Sequence, residues 1–229
     1  MPSLSPEEWQ AVRLSLEVAA RAVAFGLPVA VLVCLLLRRP RLPGRALINV
    51  AVHLPLVLPP VVTGWMLLLV FGVRGPIGGA LLHWFGIRLV FTAAGASLAC
   101  AVMTFPLMVR AIRLSLEAVD RGLEDAAATL GAGALDRFFS VTLPLMAPGV
   151  IAGAITAYAA SLGEFGAVIT FASNVPGQTQ TLPLAIYSAL QTPGGEAEAA
   201  RLAMVSVGLA VAGLLLGEWV ARRLRQLRL

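Results

Sequence analysis

The feature that most constrains this chain is a series of five apolar runs closed by arginines or turn residues, at about residues 14–37, 46–72, 90–111, 147–171 and 202–220. About 20 consecutive apolar residues is the length a helix needs to cross the hydrocarbon core of a bilayer. Lipid offers the backbone no hydrogen-bond partners, so such runs fold as helices that satisfy themselves. Composition agrees: 13% of the residues are charged, against about 25% in soluble domains. The expected fold class is an all-α integral membrane protein with about five spans. No internal repeat and no linker is found, so residues 1–229 read as one transmembrane domain in contact with membrane lipid.

Every basic residue is an arginine, and the distribution sets the topology. Arg38, Arg39, Arg41 and Arg45 follow the first run; Arg110, Arg113, Arg121 and Arg137 flank the stretch after the third; Arg222, Arg223, Arg225 and Arg228 follow the fifth. Only Arg13, Arg74, Arg88 and Arg201 fall on the other side. Under the positive-inside rule the N-terminus is expected outside and the C-terminus in the cytoplasm. Arginines at the ends of apolar runs report topology, and no nucleic-acid partner is expected from the basic balance.

Within the runs, several local signals stand out. Ser5-Pro6-Glu7-Glu8 can start a helix out of a polar tail, residues 1–13. Glu17 and Arg21 are spaced to neutralise each other on one helix face. Pro55, Pro59 and Pro60 should kink the second run, with Thr63 and Gly64 directly after, as a packing kink or a pore-lining bend. Residues 73–89 read as a glycine-rich outer loop with a short amphipathic piece, and Leu182 to Leu190 as a short helix dipping into the membrane. Cys34 and Cys100 lie in apolar runs without metal-ligand spacing, so neither a metal nor a cofactor is expected.

Between the third and fourth runs lies a charged island, residues 120–144. It reads as a short helix over Leu123 to Leu130, a break over Gly131 to Ala134, and a second helix ending near Pro144. Ala126, Ala127 and Gly131 leave one face nearly free of side chains. That face can lie flat on another protein, or the island can be a loop helix packed on its own domain. Gly131 can close the first helix in the left-handed conformation.

The fourth run carries Glu164 in Ser161-Leu162-Gly163-Glu164-Phe165-Gly166. An intramembrane acid is a functional candidate by default. A carboxylate facing an anion would repel it, so a structural or gating role is preferred over substrate contact, with an outer arginine as partner. Ser161 and Glu164 also have capping-box spacing, which suits a helix broken at Ser161 and restarted.

Asp125-Ala126-Ala127, then Gly131, Val141, Leu143 and Pro144 at their spacings, resemble the EAA motif of ABC-importer permease subunits. Asp125 stands where that motif has Glu, and Val141 where it has Ile. Ser161 to Tyr187, with Leu54 to Trp65, resembles the permease subunits of bacterial molybdate importers, with sulfate and thiosulfate permeases close behind. The likeness covers nearly the whole chain.

The resemblance implies a multi-pass permease subunit in the bacterial inner membrane, forming a homodimer. It implies two copies of a cytoplasmic ABC ATPase seated on the 120–144 coupling helix, and an external binding protein that delivers molybdate. The expected coupling residues are Asp125, Ala126, Ala127, Gly131, Val141, Leu143 and Pro144. Pro59, Pro60, Thr63, Ser161 and Glu164 are expected at the translocation path or its gate. The chain has no G-x-x-x-x-G-K-[ST] loop, so ATP hydrolysis is expected in a partner and not here. The alternatives are a sulfate, thiosulfate or tungstate ABC permease, or a secondary transporter or channel that needs no ATP.

Overall fold

A computed structural model describes residues 4–39 and 42–226. Arg41 and Arg228, named above among the arginine clusters, lie outside the described residues. All regular structure in the described residues is helical. Helix α1 (Pro6–Leu37) is followed by α2 (Arg45–Val57), α3 (Pro60–Phe71), α4 (Pro76–Phe85) and α5 (Ala93–Glu117). Then come α6 (Arg121–Thr129), α7 (Ala134–Arg137), α8 (Leu143–Leu162), α9 (Gly166–Ala172), α10 (Leu182–Gln191) and α11 (Glu196–Gln226).

Four of these are long and apolar enough to cross a membrane, and α3 with α4, bent by 46° at their junction, makes up to a fifth. The chain is thus an all-α membrane protein, with differences from the expected elements. The helix start expected at Ser5-Pro6-Glu7-Glu8 is where α1 begins, and residues 6–13 of the polar segment form its first turns. A capping box closes that start: the Ser5 N–H donates to Glu8 Oε2 (2.6 Å) and the Glu8 N–H donates to Ser5 Oγ (3.2 Å). Glu8 is only 2% exposed and pairs with Arg201 of α11 at 2.9 Å, so α1 and α11 are pinned together at this end.

The second apolar run is two helices, not one kinked helix. Leu58 and Pro59 both sit in extended backbone, ψ 143° and 136°. Each precedes a proline, whose ring clashes with a helical residue before it. Pro60 then begins α3, where a missing N–H costs nothing.

Helix α5 is the hub, packed between α1 and α8. Its buried residues Ala96, Cys100, Thr104, Met108, Ile112 and Leu116 recur every fourth position, one stripe of a helix face. The facing stripe of α8 is Gly149, Gly153, Ala157 and Ser161, again every fourth residue. Small residues let the two backbones approach, as helices packed in lipid do. A Cβ on Gly149 would meet Ser115 Cβ at 2.3 Å and the Ala111 carbonyl at 2.6 Å.

Candidate functional site

The charged island forms two short helices joined by a glycine turn. Asp120 caps α6, its side chain accepting from the Gly122 N–H at 2.8 Å. Helix α6 ends in a Schellman motif: the Gly131 N–H donates to Ala128 O and the Ala132 N–H to Ala127 O, both at 3.0 Å. Gly131 holds φ +91°, the left-handed conformation expected of it, and nothing lies within 4 Å of where its Cβ would be.

Asp125, Ala126 and Gly131 are exposed and Ala127 is half-buried, while Leu130 is 88% exposed. Leu123, Leu135 and Phe139 are exposed as well, so this charged segment presents uncovered apolar side chains. Asp125 has no ion pair among the described residues.

The second helix of the island does not end near Pro144. It starts as α7, passes through a π-helical turn (Phe138–Thr142), and continues as α8. The Leu143 N–H reaches back to Phe138 O, five residues earlier. In an unbroken α-helix the Pro144 ring would clash with the Ser140 carbonyl, and the wider turn just before it relieves that clash. Val141 and Leu143 are half-buried and Pro144 is exposed.

Glu124, which sequence reading passed over for its neighbour Asp125, ties the island to the spans. Its Oε1 accepts from Arg38 Nη1 at the end of α1 (2.6 Å) and from the Thr142 hydroxyl at the foot of α8 (2.5 Å). Burial alone would raise its pKa. The hydrogen bonds from Arg38 and Thr142, and the charges of Arg38 and Arg137, outweigh that and hold it below the ordinary value of 4.5. Nothing local sets Glu124 apart from its neighbours Asp120 and Asp125, and a separation of 86 residues hides the pairing.

The expected path residues gather at the other end of α8, whose 20 residues span roughly 30 Å. The chain breaks twice here, at Leu58–Pro59 and at Gly163–Phe165, and the two restarted helices, α3 and α9, pack on each other. A Cβ on Gly64 would meet Ala167 O at 2.8 Å, and one on Gly166 would meet Pro60 Cβ at 2.7 Å. Pro59 and Pro60 are exposed. Thr63 and Ser161 are buried, and neither hydroxyl has a partner in the described structure.

Glu164 lies half-buried in the second break, but not as expected. Ser161 stays in the last turn of α8 instead of capping a new helix, because the restart comes later, at Gly166. Glu164 itself caps that restart, accepting from the Ala167 N–H at 2.9 Å. No arginine pairs with it among the described residues.

Residues 22–226 match a family of membrane transport proteins. The chain belongs to the binding-protein-dependent transport system inner membrane components. As such a component it is a multi-pass inner membrane protein and a part of a transport system, not an enzyme. It is 57% identical over 223 residues to the molybdenum transport system permease protein ModB of Escherichia coli (strain K12), covering 97% of each chain. The ModB of Haemophilus influenzae is 52% identical over 219 residues, 96% of each. Among solved structures, a bacterial alginate ABC transporter in complex with an alginate pentasaccharide-bound periplasmic protein matches with a TM-score of 0.75. That match covers 96% of this chain and 80% of the other, at 15% identity, and bears on the fold alone.

Proposed function

We propose that this chain is the membrane-spanning permease of an ATP-driven ABC importer that carries molybdate across the bacterial inner membrane. The observation that carries the reading is the 57% identity along 97% of both chains to a molybdenum transport permease. The assembly is a homodimer of this chain, two copies of a cytoplasmic ATPase subunit, and an external protein that delivers the oxyanion. Residues 120–144 face the cytoplasm, with the N-terminus outside and the C-terminus inside.

In this reading α6 is the coupling helix. Asp125, Ala126, Ala127 and Gly131 form a low-relief docking face for the ATPase, and Leu130 beside them is the exposed apolar anchor. Val141, Leu143 and Pro144 shape the turn that joins this face to α8. Glu124 accepts from both Arg38 and Thr142, so a displacement of α6 pulls on the feet of α1 and α8 together. Helix α5, packed between those two, must follow or repack, and the cavity between the protomers then alternates its opening.

At the far end of α8, Thr63 and Ser161 suit the cargo. Molybdate is a dianion that only accepts hydrogen bonds, and these are hydroxyls with no partner of their own. Glu164 would repel it, and its bond to the Ala167 N–H supports a structural role at the helix break. Weak, neutral donors fit a path from which the substrate must also leave.

The test is complementation. In a strain without its own molybdate importer, the complex should restore molybdenum-enzyme activity at trace molybdate. Rescue of sulfate uptake without molybdate rescue would move the assignment to a sulfate or thiosulfate permease.

A further inference from the structure

Beside α6 lies a cleft of about 750 Å³, between the end of α1 and the turn that leads into α8. Four guanidinium groups line it, those of Arg38, Arg39, Arg121 and Arg137, against one carboxylate, Glu124. Only Arg38 is paired with that carboxylate. Arg39, Arg121 and Arg137 form no ion pair among the described residues. Arg137, which lines the cleft, has its Nε shielded from solvent with no hydrogen-bond partner among the described residues, so its guanidinium carries an unsatisfied donor. Such a group calls for an acceptor, and an anionic oxygen is the strongest one.

Apart from Thr142, the rest of the wall is apolar, chiefly Leu35, Leu135, Phe138 and Phe139. A small soluble anion has no use for such a surface, whereas a lipid presents a phosphate and an acyl chain side by side. The cleft also opens where α1 reaches its terminal arginines, the depth at which headgroups lie, and basic pockets at this depth bind anionic headgroups. The geometry points to a binding site for the phosphate of an anionic phospholipid, held by Arg121 and Arg137 with its acyl chain along Phe138 and Phe139. This rests on the reading of residues 120–144 as cytoplasmic. Its occupant braces the turn between α6 and α8 from the membrane side.

The probe is phosphatidylglycerol, and the protein is the full-length chain purified both alone and with its ATPase partner. Each is delipidated, placed in phosphatidylcholine nanodiscs doped with phosphatidylglycerol, and analysed for retained lipid by native mass spectrometry. Saturable retention of phosphatidylglycerol over phosphatidylcholine is expected, at least tenfold weaker in R121Q/R137Q and unchanged in R74Q. Should the glutamine pair fail to fold, the two lipids compared on the wild-type chain decide the matter.

Equal retention of both lipids would overturn the site. Displacement by millimolar inorganic phosphate would make a free anion the ligand and overturn the lipid. Loss of the lipid whenever the ATPase is bound would assign the cleft to an acidic surface of that partner, and would overturn it too. Retention is measured without nucleotide, so its failure leaves the coupling reading standing. An uncoupled importer that still holds the lipid would leave the site standing.

Discussion

Glu124 Oε1 lies 2.6 Å from Arg38 Nη1, so the short helix of the charged island is fastened to the end of the first span. Both side chains are about four-fifths withdrawn from solvent, and the same oxygen also accepts from Thr142. Charge-assisted hydrogen bonds of this kind contribute about 1.5–3 kcal/mol, more than an exposed surface pair.

The pH dependence follows from the direction of the Glu124 shift. Its pKa in the folded chain is lowered, so the stabilisation is full above the ordinary value of 4.5 and fades as pH falls through the folded one. Hydrogen exchange in α6 should therefore show the same opening free energy from pH 8 to pH 5, with protection dropping only in stronger acid. In E124Q the protection should fall by about 1–3 kcal/mol, roughly 5- to 150-fold in exchange, across the whole range. Loss of protection between pH 8 and pH 6 in the wild type would contradict the pairing.

Gly149 tests the packing of α5 on α8. Even an alanine places a methyl 2.3 Å from Ser115 Cβ, whereas the nearest atoms to a Cβ on Gly153 lie 3.3 Å away. Overpacking of this kind costs about 1–3 kcal/mol. Thermal unfolding in detergent should rank G149A well below G153A, with G153A near wild type. Equal midpoints would mean that the two helices are not held at this separation.

Much of the architecture is legible in the residues, for identifiable reasons. Apolar runs and arginine clusters are local signals; four of the five runs mark where long helices fall, while the second breaks into α2 and α3. The glycine at position 131 marks its own turn, since few other residues adopt φ +91°. Pro59-Pro60 announced a disturbance, but kink and break differ by two residues' ψ, and the preceding-residue effect had to act twice in succession to decide it. The continuity of α7 into α8 was hidden because Pro144 signals a stop, and only the π turn over Phe138–Thr142 lets the helix run past it. The Glu124–Arg38 pair and the packing of Gly64 on Ala167 join distant segments, which periodicity within one helix cannot reveal.

The topology has a direct check. In the proposed topology three groups of four arginines lie on the cytoplasmic side and four single arginines on the other. A reporter active only in the cytoplasm, fused after Leu229, should give signal, and the same reporter at the N-terminus should be silent. The reverse pattern would place residues 120–144 outside and remove them from any ATPase.

The coupling surface is tested most directly at Gly131. Its φ of +91° costs a residue with a side chain about 1–2 kcal/mol, yet the space around it is open within this chain. G131A should add only that strain and reduce coupling modestly, while G131L also stands off the face formed by Ala126 and Ala127. The measurement is co-purification of the ATPase subunit, together with molybdate uptake and ATP hydrolysis in proteoliposomes. The expected result is that G131L is made and inserted normally, loses most of its ATPase partner, and transports no molybdate. A G131L permease that keeps its ATPase and still couples hydrolysis to uptake would contradict the assignment of residues 120–144 as the coupling surface.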